Sequence, residues 1–288
     1  MTLTSMTTLL ADAAARSGGV GAFNVILLEH AEGLVAGAEK AGAPVVLQLS
    51  QNCVRYHGAL APIATAALAV ARAATVPVVV HLDHAEDPVL VYEAVRLGLG
   101  SVMFDASKLP YDENVAATRA VVQHCHARGV AVEAELGEVG GKDGVHAPGV
   151  RTDPAEAAAF AAATGVDALA VAVGTSHAMR TRDAVVDHEL IAELRAAVPV
   201  PLVLHGSSGV PDDELTTAVE AGMTKVNIAT HLNAVFTGAV RDRLADDPEL
   251  VDPRRYVAAG RDALAAEAAR LLTVLNATAG PGPGSGPA

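Results

Sequence analysis

The chain has little of what several functional classes require. It has 288 residues, only two cysteines, no tryptophan and 3% aromatic residues. Two cysteines in a chain of this length do not make a disulfide framework, which fits a reduced, cytoplasmic protein. No run approaches the roughly 18 uncharged apolar residues of a membrane span. Because aromatic residues are so few, Ala and Val have to fill the core in closely packed strands and helices.

Basic residues are also scarce. Lys and Arg number 20 against 33 Asp and Glu, which gives a formal net charge of −13 and a sequence pI near 5.2. This balance argues against nucleic acid or an anionic membrane as a partner. The first 19 residues lack a basic start and a long apolar core, so no signal peptide is expected. We expect residues 1–276 to form a single domain and the Gly/Pro-rich residues 277–288 to be disordered.

Strand and helix patterns alternate along the chain. Short runs rich in Val, Leu and Ala, flanked by Pro or Gly, predict buried parallel strands. The eight predicted strands span residues 20–25, 45–49, 78–82, 101–104, 130–136, 168–173, 201–204 and 225–228. Amphipathic, Ala-rich helices are predicted at 29–41, 59–74, 88–97, 113–128, 154–163, 188–197, 212–221 and 231–244, with a last one at 257–275.

Eight strands with eight crossover helices predict an α/β fold, the (β/α)8 TIM barrel. The alternative is a doubly wound open sheet. That fold usually carries a G-x-G-x-x-G phosphate motif after its first strand, and the motif is absent here.

Three histidines each follow one of the apolar runs. They are His84 in VPVVVHLDH, His177 in LAVAVGTSH and His205 in VPLVLH. The carboxyl ends of parallel strands meet at one mouth, so the three imidazoles are expected to converge there, beside Asp83. Three neutral imidazoles are the ligands of a catalytic zinc site with an open fourth position. The run HCH at 124–126 is not expected to bind metal, because adjacent residues on a helix point apart.

The remaining strand ends are also polar, and the loops after strands seven and eight form a phosphate pocket in many barrels. Here those loops contain HGSSG and NIAT, which offer small residues, hydroxyl groups and backbone N–H donors to an anion. Buried polar groups are costly unless they are paired or used, so their clustering at one mouth supports a site.

The small number of lysines and their positions bear on the mechanism. The chain has four, Lys40, Lys108, Lys142 and Lys225. A barrel enzyme that forms a Schiff base with a carbonyl substrate needs an amine inside the barrel. No lysine lies in the predicted sixth strand, and Lys225 begins its predicted strand at the end opposite the mouth. The sequence therefore favours activation of a carbonyl by a metal Lewis acid.

At this point the motifs resemble those of a known family. HLDH at 81–84, EAELGEVGG at 133–141, GTSH at 174–177, LHGSSG at 204–209 and KVNIAT at 225–230 are similar to motifs of the class II, zinc-dependent ketose-bisphosphate aldolases. The resemblance implies that His84, His177 and His205 bind zinc and that Asp83 is the acid/base at the C4 hydroxyl. It places Asp105 and Glu135 near a second, buried metal position. It also implies that the substrate is bound by Asn24, Ser50, Gly206, Ser208, Asn227 and Thr230. Members of the family often hold a monovalent cation by backbone oxygens as well.

The chain departs from the family pattern at three points. Gly after the second zinc histidine is Ala178 here, and the Lys soon after it is replaced by Arg180 or Arg182. In the loop after strand five, Asp143 stands where the family has a glutamate. Asp143 is the expected carbon acid/base, and Glu138 is the alternative. Near the C-terminus, Ala258 stands where the family commonly has an arginine for the distal phosphate, while Arg254, Arg255 and Arg261 lie nearby.

The resemblance implies that the protein is a cytoplasmic aldolase and that it forms a homo-oligomer, either a dimer or a tetramer. Its expected reaction is reversible cleavage of fructose 1,6-bisphosphate to dihydroxyacetone phosphate and glyceraldehyde 3-phosphate. Tagatose 1,6-bisphosphate, which differs only at C4, is the alternative substrate. A sugar-phosphate-binding barrel without catalysis and a Schiff-base aldolase are the remaining alternatives.

Overall fold

The computed structural model describes residues 2–136, 151–175 and 181–277. His177 and Asp143 lie outside these residues, as do Glu138, Arg180 and residues 278–288 of the expected tail. Within the described residues the chain forms a closed barrel of eight parallel strands in sequence order, with β1 paired to β8. The strands are β1 Val20–Asn24, β2 Val45–Ser50, β3 Val78–Ala85, β4 Ser101–Phe104, β5 Ala131–Glu135, β6 Ala168–Ala170, β7 Leu202–Leu204 and β8 Met223–Ile228. The predicted (β/α)8 TIM barrel is thus confirmed.

Helices surround the barrel. In the described part of the chain they are α1 Met6–Ala15, α2 Leu28–Ala41, α3 Gln51–His57, α4 Ala61–Ala73, α5 Pro88–Leu97, α6 Tyr111–His126, α7 Pro154–Thr164, α8 His188–Ala197, α9 Asp212–Ala221, α10 Thr230–Asp246 and α11 Pro253–Leu275. Asp87 and Asp153 cap α5 and α7 just before a proline at the first helical position. None of these helices alone has the length and composition to cross a membrane; α3 and α4 meet that test only together, bent by 115° at their break.

Several predicted boundaries and elements differ from the structure. Helices α1 and α3 were not predicted. The sixth strand ends at Ala170 instead of residue 173, because Ala172 N bonds Thr152 Oγ1 at 2.8 Å and leaves the barrel ladder. The third strand continues through Asp83 and His84 to Ala85, and β8 begins two residues earlier, at Met223.

The barrel interior is built in two layers. In the lower layer, small apolar side chains from the strands pack against the buried face of α1, which includes Leu9 and Leu10. This helix therefore closes the amino-terminal end of the barrel. Side chains alternate along each strand, so the next inward positions follow two residues later. Those positions are polar and buried: Gln48, His81, Asp83, Glu133, Glu135, His205, Lys225 and Asn227.

Candidate active site

A break in the β3–β4 ladder brings two adjacent residues to the inside of the mouth. The register shifts between Leu82 and Ala85, and His84 between them has a φ of 47°. Non-glycine residues seldom adopt that angle, and such strain concentrates at functional sites. In a regular strand Asp83 and His84 would face opposite sides of the sheet. Here one oxygen or nitrogen of each lies within 4.8 Å of the other and of a nitrogen of His205.

The imidazoles of His84 and His205 face each other. Nε2 of His84 lies 3.1 Å from Nδ1 of His205. The other nitrogen of each ring is bonded to a buried carboxylate: His84 Nδ1 to Asp105 at 2.8 Å and His205 Nε2 to Glu133 at 2.9 Å. A ring nitrogen beside a carboxylate carries the proton, so both facing nitrogens present lone pairs. A cation between them, either a proton or a metal ion, relieves that repulsion.

The donor set fits a metal ion. Two nitrogens bound to one tetrahedral zinc at about 2.1 Å would be about 3.4 Å apart, close to the spacing of the two facing atoms. A second group of candidate ligands, His84, Asp105 and Glu135, also has donor atoms within 4.8 Å of one another. Asp105 is held in place by Ser107, whose hydroxyl lies 2.6 Å from its Oδ1. The predicted inner carboxylates are therefore beside the first histidine.

The electrostatics of the mouth also favour a cation. Burial opposes protonation of His84, but Asp83, Asp105 and Glu135 outweigh it and raise the pKa of His84 to about 9. Burial likewise opposes ionisation of Asp83, yet His84 and the neighbouring basic groups lower the pKa of that carboxyl below its usual value. Asp83 is therefore a carboxylate at neutral pH. Its Oδ1 is buried without a hydrogen-bond partner among the described residues.

Two predicted substrate residues lie on β1 and β2, the two strands that precede the strand of Asp83. Ser50 on β2 is in register with Asp83 on β3. Its hydroxyl accepts a hydrogen bond from the backbone N–H of Cys53 and so caps α3. Asn24 on β1 accepts a hydrogen bond from Gln48 at 3.3 Å. Gln48 was not among the predicted site residues, although it is fully buried beside them.

The predicted phosphate residues also come together. Gly206 has a φ of 68° and starts a 3₁₀ turn over Ser207–Gly209, a conformation that suits glycine. Ser208 Oγ accepts a hydrogen bond from the N–H of Ala229, directly before α10 and its first residue, Thr230. Asn227 is buried in β8, and its Oδ1 has no hydrogen-bond partner among the described residues. The loop after β7 thus meets the amino-terminal end of a long helix, an arrangement that favours anions.

Comparison with known proteins decides the family. The chain matches the sequence model described as "Fructose-bisphosphate aldolase class-II" over residues 4–279. A fructose-bisphosphate aldolase of Geobacillus stearothermophilus is 39% identical over 270 residues, which cover 92% of this chain and 94% of that protein. The chain belongs to the class II fructose-bisphosphate aldolase family. The resemblance found in the motifs is confirmed, and the chain is an aldehyde-lyase of a metal-dependent family that acts on phosphorylated sugars.

Solved structures agree. The YdjI aldolase of Escherichia coli K12 superposes with a TM-score of 0.84 at 32% identity, covering 95% of this chain and 97% of that one. A putative fructose-1,6-biphosphate aldolase of Coccidioides immitis superposes with a TM-score of 0.83 at 30% identity, covering 95% and 96%.

The position predicted for Lys225 in this aldolase was wrong. It was expected at the start of a strand, away from the mouth. In the structure it is the third residue of β8, is fully buried and lies 2.7 Å from Glu133 Oε2. An amine is therefore present inside the barrel, although it is already paired with a carboxylate. The alternation of β8, with Val226 and Ile228 in the outer core, is the signal that could have placed it.

One of the two candidate arginines has a structural contact. Arg182 donates to the carbonyl of Val210 at 2.6 Å and to Asp212 at 2.6 Å, so it ties the segment before α8 to the start of α9. Both of these contacts are with the protein itself. Arg180 lies outside the described residues.

Proposed function

We propose that this aldolase cleaves fructose 1,6-bisphosphate reversibly to dihydroxyacetone phosphate and glyceraldehyde 3-phosphate, with zinc held by His84, His177 and His205. The facing nitrogens of His84 and His205, each backed by a buried carboxylate, are the observation that carries the metal site. The names of the Geobacillus and Coccidioides relatives support the substrate.

His177 is proposed as the third ligand from its neighbour in sequence. Thr175, two residues earlier, donates a hydrogen bond from its hydroxyl to the carbonyl of His205 at 2.6 Å. The chain therefore runs beside the second described histidine just before His177. Zinc bound to these histidines supplies a Lewis acid that polarises the ketone carbonyl.

Asp83 is proposed as the base for the C4 hydroxyl during cleavage. It is ionised at neutral pH, and one of its oxygens has no hydrogen bond to the described residues. It can therefore accept the hydroxyl proton as the C3–C4 bond breaks, and return it in the condensation direction. Asp105 and Glu135 are proposed to hold the second metal position.

The remaining residues are proposed to bind and position the substrate. Asn24 on β1 and Ser50 on β2 would hold hydroxyl groups of the substrate. A phosphate would be bound at the amino-terminal end of α10 by Gly206, Ser208, Asn227 and Thr230. Asp143 is proposed as the carbon acid/base on its loop, with Glu138 as the alternative.

The experiment is a kinetic comparison of fructose 1,6-bisphosphate and tagatose 1,6-bisphosphate with the zinc-replete protein. We expect cleavage of both to depend on zinc and kcat/KM to be higher for the fructose compound. A higher value for the tagatose compound would reassign the substrate within the family. Binding of either sugar without turnover would support a non-catalytic barrel instead.

We also propose three properties of the whole protein. Residues 1–276 form one domain, since α11 packs against α2 and α10 and completes the outer layer. The protein works in the cytoplasm, in keeping with its two free, buried cysteines. It forms a homo-oligomer, which light scattering on the purified protein tests. Assays with and without potassium or sodium test the monovalent cation.

A further inference from the structure

Three buried side chains form a continuous chain of contacts beneath the mouth. Lys225 Nζ lies 2.7 Å from Glu133 Oε2, and Glu133 Oε1 lies 2.9 Å from His205 Nε2. The side chains of Lys225 and His205 are fully buried and that of Glu133 is 2% exposed. We call this the Lys–Glu–His chain. A buried charge is costly unless it is paired, and here each oxygen of Glu133 has its own partner.

The Lys–Glu–His chain determines which nitrogen of His205 carries the proton. An ionised carboxylate only accepts hydrogen bonds, so His205 Nε2 has to be the donor. The other nitrogen, Nδ1, then carries the lone pair and is the one that faces His84 at 3.1 Å. Because Lys225 occupies the second oxygen of Glu133 with a positive charge, it stabilises the carboxylate form on which this arrangement depends.

We propose that Glu133 and Lys225 are positioning residues, which hold His205 in the tautomer that presents Nδ1 to the metal. Lys225 accordingly serves as an ammonium partner of Glu133. This inference rests on the proposed metal site. It assigns a role to the one lysine that the structure places inside the barrel among the described residues.

The Glu133→Gln variant tests the direction of the hydrogen bonds. The amide has one acceptor oxygen and one donor NH2 group. With Lys225 present, the ammonium takes the oxygen and turns the NH2 group toward His205 Nε2. That contact favours the tautomer with the proton on Nδ1, which has to be removed before a metal binds. We expect zinc affinity to fall about 10- to 100-fold, the usual effect of losing a partner that orients a metal ligand.

The double variant Glu133→Gln/Lys225→Met separates positioning from general damage to the core. Without the ammonium, the amide can rotate and offer its oxygen to His205 Nε2, so zinc affinity should recover relative to Glu133→Gln. A role in packing alone predicts that the double variant is no better than the single one. Ser101→Ala is the matched control, because it removes another buried hydrogen bond in the barrel, that to His81 at 2.9 Å. Its zinc affinity should stay at the wild-type value.

The readouts do not depend on turnover. Zinc affinity is measured by competition with a chromophoric chelator, and the tautomer of His205 by ¹⁵N NMR of the metal-free protein. We expect the proton on Nε2 in the wild type and on Nδ1 in Glu133→Gln. A wild-type proton on Nδ1, or no recovery in the double variant, overturns the inference. If the wild type keeps Nε2–H but binds no zinc, the proposed function fails while the action of Glu133 on His205 stands.

Discussion

Nε2 of His84 and Nδ1 of His205 lie 3.1 Å apart, and each ring bonds a buried carboxylate through its other nitrogen. Asp105 directly follows β4 and Glu133 lies on β5, and either ring would lose its carboxylate partner if it turned. The pair is thereby fixed with both lone pairs toward one point.

Removal of the metal should abolish activity. We expect about one zinc per chain in the purified protein and loss of cleavage after treatment with a chelator, because the metal polarises the carbonyl. His205→Ala should lose both zinc and activity, as measured by metal analysis and a coupled assay. His124→Ala is the control, since His124 stacks on Tyr92 on the outer layer. Full turnover by stripped protein would contradict the metal mechanism.

Asp83→Asn should keep zinc and lower the cleavage rate by roughly 10² or more, the scale of general acid–base catalysis. The amide has nearly the same shape but cannot accept the hydroxyl proton. Glu86→Gln provides the comparison, because Glu86 is exposed and is bonded to Gln51. If Asp83→Asn loses zinc instead, Asp83 acts as a metal ligand, which its distance to both histidines would allow.

Asp143→Ala should slow exchange of the carbon-bound proton of dihydroxyacetone phosphate with solvent, while zinc content and phosphate affinity stay unchanged. The reason is that the proposed carbon acid/base acts only on that proton. Exchange is followed by NMR in deuterated water. Glu138→Ala is measured beside it. Loss of exchange in Glu138→Ala alone would move the role to that residue.

Arg180→Met should raise KM for the bisphosphate, whereas Arg182→Met should mainly lower thermal stability. Arg182 is already committed to Val210 and Asp212, so its loss loosens the start of α9. An arginine can hold a phosphate through two parallel hydrogen bonds, and Arg180 is the remaining candidate. Steady-state kinetics and melting curves of both variants separate the two roles. The reverse pattern would reassign the phosphate to Arg182.

Glu267→Gln should destabilise the protein by about 1 kcal/mol at neutral pH. Burial opposes ionisation of Glu267, but hydrogen bonds from Arg270 and His231 lower the pKa of its carboxyl from 4.5 to about 2. The carboxylate therefore stabilises the fold above pH 4.5, and this contribution is lost as the pH falls toward 2. Denaturation of both proteins between pH 7 and 3 should show the difference shrinking. Exposed Glu249→Gln should show no such difference.

The sequence predicted the barrel because its signals are local. Buried parallel strands have continuous apolar runs, and proline and glycine separate them from the helices. Gly42 and Gly98, for example, adopt the left-handed conformation that ends α2 and α5. The amphipathic helix α1 was not predicted, because its apolar face is buried only against the closed barrel and not against its neighbours in sequence.

The sequence also determined that His84 and His205 lie at one mouth, since every parallel strand of a barrel ends at the same rim. Tertiary structure alone decided how they are used there. The bulge that turns Asp83 and His84 to the same side depends on the register of β3 against β4. The contact between Lys225 and Glu133 joins residues 92 positions apart on strands that are not neighbours. Strand periodicity shows which side of the sheet a residue faces, but only closure of the barrel determines which residue it meets across the interior.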